Sequence, residues 1–246
     1  MTKLEIQACF ELALPKLNAQ VDEHAAERLA VYHEMLCDWN TRMNLTGDTA
    51  LTTAMGRLYM DSLAPLALPS LFARGASVID VGSGAGFPGL PLAIARPDLR
   101  MVLLDSLGKR VTFLNEVIAT LGLSQVRAVH ARAEDAARDP ALRERFDVAV
   151  ARAVAAAPVL MELLLPFARV GGQALCYKGP SAEEELLAGS RAARWLGGDA
   201  LRVLPVDVPD QPEWRHCVLA CAKRQPTPAR YPRKAGTPER DPLGAA

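Results

Sequence analysis

Glycines interrupt an otherwise apolar stretch, VIDVGSGAGFPGLPLAIA at 78–95. The run before Gly82 is typical of a buried strand, and the run that starts near Pro88 is typical of a helix. Glycine lets the connecting turn bend sharply and leaves backbone amides open to a ligand, because no Cβ obstructs them. A turn that was merely tight would need fewer glycines, so the spacing indicates a binding loop.

Two ligand classes fit this loop. Gly82, Gly84 and Gly86 form the G-x-G-x-G of S-adenosylmethionine-dependent methyltransferases, whereas 84–89 matches the G-x-G-x-x-G of dinucleotide-binding proteins. The first register begins directly at the end of the strand. It also agrees with Pro88 in the first turn of a helix, where proline is well accepted. We therefore expect S-adenosyl-L-methionine, with a nicotinamide dinucleotide as the alternative.

Two acids accompany the loop. Asp105 ends the next apolar run, and in an open α/β sheet it would lie at the carboxyl edge, where it can bind both ribose hydroxyls of an adenosine. Asp105 or Ser106 could equally cap the following helix. Asp80 either accepts backbone amides of the loop or faces the amino group of a bound methionine moiety.

The surrounding pattern predicts the elements that position these residues. Up to residue 70 the apolar period is helical, and it predicts helices over 4–17, 22–43 and 50–66. Short apolar runs then alternate with helical segments, and these runs are 78–81, 101–104, 126–129, 147–151 and 173–177. The last two runs, 201–206 and 216–222, leave little room for a helix between them. We therefore expect an α/β fold with a parallel sheet, closed at one edge by an antiparallel pair.

The composition is that of a globular chain. Of its 246 residues, 50% are hydrophobic and 23% charged, enough to bury a core. The longest apolar runs are far shorter than the roughly 20 residues of a membrane helix. The first residues also lack the pattern of a signal peptide, so we expect a cytoplasmic protein. The five cysteines show no metal-ligand spacing and are expected to be buried thiols, with no metal site.

Charge is balanced overall but not at the C-terminus. The chain has 28 basic and 28 acidic residues, so no global field favours a nucleic acid. We divide it into a helical cap (1–70), an α/β core (71–222) and a basic, proline-rich tail (223–246). The prolines of the tail are expected to forbid a helix and leave it extended and largely uncored, either solvated or in contact with phosphates. Its candidate RNA contacts are Arg224, Arg230, Arg233 and Lys234.

Several motifs occur together in this chain. They are NLT (44–46), RLYMDSL (57–63), DVGSGAGFPGLPLA (80–93), LLDSLGKRVTFL (103–114), ARAED (131–135), VARA (150–153), KG (178–179) and YPRKAGTPERDPL (231–243). In this order they resemble the bacterial 16S ribosomal RNA guanine-N(7) methyltransferases, the glucose-inhibited division protein B family, over nearly the whole chain. The resemblance implies a class I, Rossmann-like methyltransferase sheet with an N-terminal helical cap.

The resemblance also implies site residues. Together with the loop itself, the expected cofactor-binding residues are Asp80, Gly82, Gly84, Gly86, Phe87, Asp105, Ala133, Glu134 and Arg152. Ala133 would offer its backbone to the adenine edge. Glu134 could equally mark the start of a helix, and Arg152 could belong to a surface salt bridge.

One stretch departs from the family pattern. Where the family has RH-x-x-DS, this chain has Leu58 in place of the histidine, so no role of that histidine is carried over. Arg57 and Asp61 lie four residues apart on one helix face. They either contact the substrate or pair with each other.

The segment after the fourth predicted strand carries no obvious base. The sequence DVAVARAVAAAP has neither the Asn/Asp-Pro-Pro-aromatic signature of amine methylation nor a cysteine nucleophile. Guanine N7 already has an in-plane lone pair, so positioning is sufficient for its methylation. We expect Arg152 and Lys178 to act in this step, although Lys178 could simply end its strand.

The predicted partner is 16S ribosomal RNA or the small ribosomal subunit, bound by a monomer without membrane contact. Three other functions remain open at this point. They are methylation of another RNA acceptor, a nicotinamide-dependent oxidoreductase, and a noncatalytic RNA-binding module.

Overall fold

The computed structural model describes residues 1–152 and 155–244. Its strands are β1 (Ser77–Val81), β2 (Arg100–Asp105), β3 (Val126–His130), β4 (Phe146–Arg152), β5 (Ala168–Lys178), β6 (Arg202–Pro205) and β7 (Cys217–Ala222). Within the described ranges they form one seven-stranded sheet in the order β3-β2-β1-β4-β5-β7-β6. Strands β1 to β5 are parallel, and β7 runs antiparallel to both β5 and β6. The predicted α/β sheet with an antiparallel edge is confirmed.

Helices cover both faces of this sheet. They are α1 (Lys3–Ala13), α2 (Ala25–Asn40), α3 (Leu51–Ala54), α4 (Asp61–Leu63), α5 (Gly89–Ala95), α6 (Gly108–Leu121), α7 (Ala133–Ala136), α8 (Ala157–Leu164), α9 (Leu186–Trp195) and α10 (Thr237–Arg240). A π-helix, Met55–Met60, joins α3 to α4 within the third predicted helix. None of the helices in the described ranges combines the length and apolar character that a bilayer crossing requires.

The cap packs directly on the sheet. Thr2 and Glu5 form a capping box that starts α1, and α2 presents buried Leu29, Tyr32 and Leu36 to the interior. Tyr32 and Tyr59 both contact the ring of Phe87, with centroids 5.4 and 5.3 Å away. Cap and core therefore share one hydrophobic cluster.

Strand β1 separates the two layers of the core. Val78 belongs to the cluster that contains the cap, while Ile79 and Val81 belong to the cluster beneath α8 and α9. Successive side chains of a strand point to opposite faces, so a run buried at every position has to be covered on both sides. Asp80 lies in the middle of this buried strand.

The cysteines are distributed largely as expected. Cys176, Cys217 and Cys221 are buried, and Cys9 and Cys37 are half-buried. Burial raises the pKa of the Cys221 thiol to about 12, which makes it unreactive at neutral pH. Cys217 and Cys221 belong to the same cluster, as their placement on one face of β7 requires.

The prediction of an extended, uncored tail is wrong. Tyr231 and Lys223 are buried, and α10 forms even though prolines were expected to forbid a helix. Its Pro238 stands in the first turn, where the missing amide costs nothing. The last two residues of the predicted tail, and Ala153 at the end of the VARA motif, lie outside the described residues.

Buried polar contacts attach the tail to the core. The guanidinium of Arg143 donates to the backbone oxygens of Thr227 and Tyr231, at 2.8 and 2.9 Å. The ammonium of Lys223 donates to the backbone oxygen of Leu165 at 2.8 Å. Burial lowers the pKa of Lys223 to about 8, against which the nearby carboxylate of Glu144 acts.

Candidate cofactor and substrate site

A cavity of about 510 Å³ opens at the carboxyl ends of the central strands. This is where open α/β sheets bind their ligands. Loop, sheet, cap and tail all contribute to its wall. The residues that line it include Thr46, Gly82, Gly84, Phe87, Asp105, Arg110, Arg132, Ala133, Glu134, Arg152, Gly236 and Glu239.

The glycine loop has the backbone that the sequence predicts. Gly84 has a φ of +58°, and an added Cβ would have only the Gly82 carbonyl oxygen nearby, at 3.9 Å. Gly86 has a φ of +100°, and there a Cβ would lie 2.4 Å from Leu90 Cδ1. Gly84 therefore leaves the cavity open, whereas Gly86 permits the close packing of the loop on α5.

Asp80 binds the end of the glycine loop. Its Oδ2 accepts the amide of Gly89 at 3.0 Å, and its Oδ1 has no hydrogen-bond partner among the described residues. Desolvation raises the pKa of Asp80 to about 7. This geometry is the first of the two predicted roles, the acceptance of loop amides. Asp80 and Gly86 do not themselves line the cavity.

Asp105 joins the loop to the next helix. Its Oδ2 accepts the amide of Gly84 and its Oδ1 accepts the amide of Leu107, both at 2.8 Å. The Nη1 atom of Arg110 lies 3.5 Å from Oδ2 of the same carboxylate. Asp105 lines the cavity and binds the amide of Leu107, the residue before α6. Its binding of ribose hydroxyls remains a prediction.

The end of β3 meets the tail. Ala133 and Glu134 line the cavity at the start of α7. Glu134 Oε1 accepts the amide of Gly236 at 3.0 Å, which places Gly236 and Glu239 of the tail in the cavity wall. The sequence placed both residues in a motif but did not place them in this site.

Arg152 connects the cavity to the cap. Its Nη1 lies 3.0 Å from Asp61 Oδ2, and its guanidinium carbon lies 5.2 Å from the centroid of the Phe87 ring. Asp61 also contacts His216, and among the described residues its ion pairs are with Arg152 and His216. The alternative in which Arg57 pairs with Asp61 is therefore not the arrangement found. Arg152 is an ion-pair partner and a cavity-lining residue at once.

Lys178 is engaged elsewhere. Its ammonium contacts Glu185 Oε2 and the backbone oxygen of Ala155, both at 2.8 Å. It does not line the cavity. These contacts fit the alternative that Lys178 ends its strand, so we remove it from the catalytic candidates.

The four candidate cations of the tail fall into two groups. Arg224, Arg230 and Lys234 are exposed. Arg224 pairs with Asp199 at 3.1 Å, and the guanidinium of Arg230 lies over the Tyr231 ring. Arg233 is instead bound by Glu162, which is fully buried, through its backbone amide and its guanidinium. Arg233 is therefore a structural anchor and not an available RNA contact.

Two cationic residues of the cavity wall were not predicted as site residues from the sequence. Arg110, in the first turn of α6 after β2, and Arg132, between β3 and α7, both line the cavity. Both belong to motifs already recognised, DSLGKR and ARAED, and both follow a strand at the carboxyl edge. That position is the signal that could have identified them.

A solved structure of a putative transferase from Pyrococcus horikoshii shares the fold. It has a TM-score of 0.51 and 16% sequence identity, and the match covers 66% of this chain and 62% of that one. This similarity concerns the architecture of the sheet alone.

Sequence relatives extend over the full length. Proteins named ribosomal RNA small subunit methyltransferase G are 42% identical over 98% of this chain in Alkaliphilus oremlandii and 43% identical over 95% in Lactobacillus delbrueckii subsp. bulgaricus. The match covers 100% and 98% of those proteins. The family model described as rRNA small subunit methyltransferase G matches residues 25–211. The chain therefore belongs to the rRNA small subunit methyltransferase G family.

Proposed function

We propose that this protein transfers a methyl group from S-adenosylmethionine to N7 of a guanine in 16S ribosomal RNA. The proposal depends on one observation at the carboxyl edge of the sheet. The amide of Gly84, a residue with free space where a Cβ would lie, donates to the carboxylate of Asp105, which lines the cavity. Membership of the methyltransferase family supports the same reaction.

The residues present fit an adenosine-containing cofactor. A carboxylate can accept about four hydrogen bonds, and the two backbone amides at Asp105 leave acceptor capacity for ribose hydroxyls. Gly84 lets a ligand approach the backbone, and Ala133 and Glu134 would hold the adenine end. S-adenosylmethionine, when bound, supplies a methyl group activated by a sulfonium.

The other wall would orient the acceptor. Of the described residues that line the cavity, none is histidine, cysteine or lysine. An acceptor nitrogen with its own lone pair needs no proton removed, so such a wall is compatible with N7. Phe87 and Arg152 offer a flat ring and a fixed cation, which would position a base and exclude water.

Cations in the cavity wall and in the tail would bind the RNA backbone. Arg110 and Arg132 stand in the wall, and Lys234 lies two residues before Gly236, which the Glu134 carboxylate holds. We propose these three as phosphate contacts, with Arg230 and Arg224 farther along the tail. The substrate would be 16S ribosomal RNA or the small subunit, bound by a cytoplasmic monomer.

A methyl-transfer assay tests the function. The protein is incubated with radiolabelled S-adenosylmethionine and either protein-free 16S RNA or small subunits that lack the modification, and the product nucleosides are identified by mass spectrometry. We expect 7-methylguanosine. Detection of a different methylated nucleoside would show that the acceptor is not guanine N7. Absence of methyl transfer to both substrates would contradict the proposed function.

The cofactor site is tested by calorimetry. The substitution Asp105→Asn should weaken S-adenosylmethionine binding by about 10- to 100-fold, because a charged acceptor is lost. The matched control is Asp207→Asn, since Asp207 is exposed and lies outside the cavity wall. Equal affinity in the two variants would remove Asp105 from the site.

A further inference from the structure

The connector between β6 and β7, residues 206–216, binds the cap at three points. Asp210 forms an ion pair with Lys16 at 2.6 Å. Gln211 packs on Gly56 of the π-helix, where an added Cβ would lie 3.2 Å from the side-chain nitrogen. His216 Nδ1 lies 2.7 Å from Asp61 Oδ1. The connector therefore reaches from the far edge of the sheet to the part of the cap that contacts Arg152.

Asp61 divides its two oxygens between two partners. Oδ1 contacts His216, and Oδ2 contacts Arg152 at 3.0 Å. A carboxylate oxygen only accepts, so the proton of this hydrogen bond is on Nδ1 of the imidazole. With one oxygen held by His216, the other is turned towards the guanidinium.

The π-helix binds the same guanidinium nitrogen of Arg152 that contacts Asp61. This nitrogen, Nη1, donates to the backbone oxygens of Arg57 and Leu58, at 3.1 and 3.3 Å. The wider turn of a π-helix shifts backbone hydrogen bonds from their α-helical partners, and such turns are frequent at functional sites. The result is a guanidinium fixed above Phe87 in the cavity wall.

We infer that His216 is a positioning residue for the methyl-transfer site, acting through Asp61 on Arg152. This inference rests on the proposed function. The imidazole orients the carboxylate, the carboxylate orients the guanidinium, and the guanidinium contributes the cation at the Phe87 side of the cavity. His216 itself does not line the cavity, so its effect on the reaction passes through Arg152.

A packing role for His216 is the competing explanation. Its ring stacks on Trp214 with centroids 4.8 Å apart and an interplanar angle of 26°. Two substitutions separate the roles. His216→Phe keeps an aromatic ring against Trp214 and removes the donor, whereas His216→Asn removes the ring and keeps a donor close to the position of Nδ1.

The experiment measures kcat/KM for methyl transfer and the calorimetric affinity for S-adenosylmethionine. We expect His216→Phe to lower kcat/KM about 10-fold and His216→Asn to retain it within about 3-fold, because a hydrogen bond to a charged group is lost only in the first. Thermal unfolding of each variant establishes that it is folded. The control His24→Phe changes a histidine whose side chain is 62% exposed and should leave both quantities unchanged.

A double-mutant cycle tests the route through Arg152. Arg152→Ala alone should lower kcat/KM or cofactor affinity. In the Arg152→Ala background, His216→Phe should then change each of these two quantities by less than about 2-fold. Additive losses, a stronger effect of Asn than of Phe, or an Arg152→Ala variant that behaves like the wild type would each overturn the inference. Wild-type protein that transfers no methyl group would instead contradict the proposed function.

Discussion

The cap and the tail reach the same cavity but are attached to the core in different ways. The cap is held by apolar burial: Phe10, Tyr32 and Tyr59 are fully buried, Tyr32 and Tyr59 contact the Phe87 ring, and Phe10 contacts Tyr59. The tail buries Tyr231 and Leu243, and it is held in addition by directional polar contacts, among them those of Arg143 and of the buried Glu162. The cavity thus has one wall set by hydrophobic packing and another set by hydrogen bonds and ion pairs.

This difference decides how each wall responds to change. Apolar burial is distributed over many contacts, which vary little with pH or salt. A buried ion pair depends on both partners, and loss of one leaves an unpaired charge in a poorly solvated place. We expect the loss of one polar contact to destabilise the tail more than the loss of one apolar contact destabilises the cap. The cap as a whole should be the more stable of the two.

The largest effect should come from the cap. Phe10→Ala removes a fully buried ring that lies 4.9 Å from Tyr59, and should lower the free energy of unfolding by about 4 kcal/mol. Urea denaturation followed by circular dichroism measures it. Leu12→Ala is the control, because Leu12 lies on the same helix with 73% of its surface exposed. Equal losses in the two variants would contradict attachment by burial.

The tail should respond to a change of one charge. Glu162→Gln leaves the Arg233 guanidinium without its buried partner and should lower the free energy of unfolding by about 3 kcal/mol. It should also weaken S-adenosylmethionine binding, because the wall at Gly236 and Glu239 loses its anchor. The control Asp241→Asn removes an ion-pair partner of Arg233 that is 80% exposed, and should change stability by less than about 0.5 kcal/mol.

The attachment of the tail should also depend on pH. The pKa of Lys223 is lowered to about 8 in the folded protein, so above pH 8 the folded state has released a proton that the unfolded chain still binds. Stability therefore rises with pH, and between pH 8 and 9.5 the gain is up to about 2 kcal/mol.

The variant Lys223→Met isolates this gain. Subtracting its unfolding free energy from that of the wild type at each pH removes contributions shared by both proteins. Lys234→Met, at an exposed position of the same tail, should show the wild-type dependence. A difference curve that is flat or falls with pH would refute the assignment to Lys223.

The smallest effect concerns RNA. Lys234→Ala should weaken RNA binding about 3-fold and reduce the slope of log affinity against log salt by about one unit, as expected for one phosphate contact. The control Arg127→Ala removes an exposed cation from β3 that does not line the cavity. Filter binding at several salt concentrations measures both slopes, and identical slopes would exclude Lys234 as a contact.

Local spacing was sufficient to predict the centre of the site. Gly82, Gly84, Phe87 and Asp105 follow strands that the apolar pattern identifies, and parallel strands bring their carboxyl ends together. The sequence analysis made no prediction for α9, whose buried positions are the small residues Gly189, Ala192 and Ala193. The segment boundaries at 70 and 222 remain predictions.

Long-range polar partners could not be predicted. Glu162 and Arg233 are 71 residues apart, and Asp61 and His216 are 155 apart. A charged residue in a sequence is equally compatible with solvent, a ligand or a buried partner, and only the folded chain decides among these. For this reason the sequence predicts Arg233 as an RNA contact together with three other tail cations, although Glu162 binds it, and it predicts no role for His216.

The hydrogen bond between Glu134 and Gly236 has a consequence for biosynthesis. Gly236 and Glu239 supply part of the enclosure, so a nascent chain has to extend past them before the binding site can be complete. A chain that has not yet reached Gly236 leaves this side of the pocket open. Termination before Gly236 would therefore impair ligand retention.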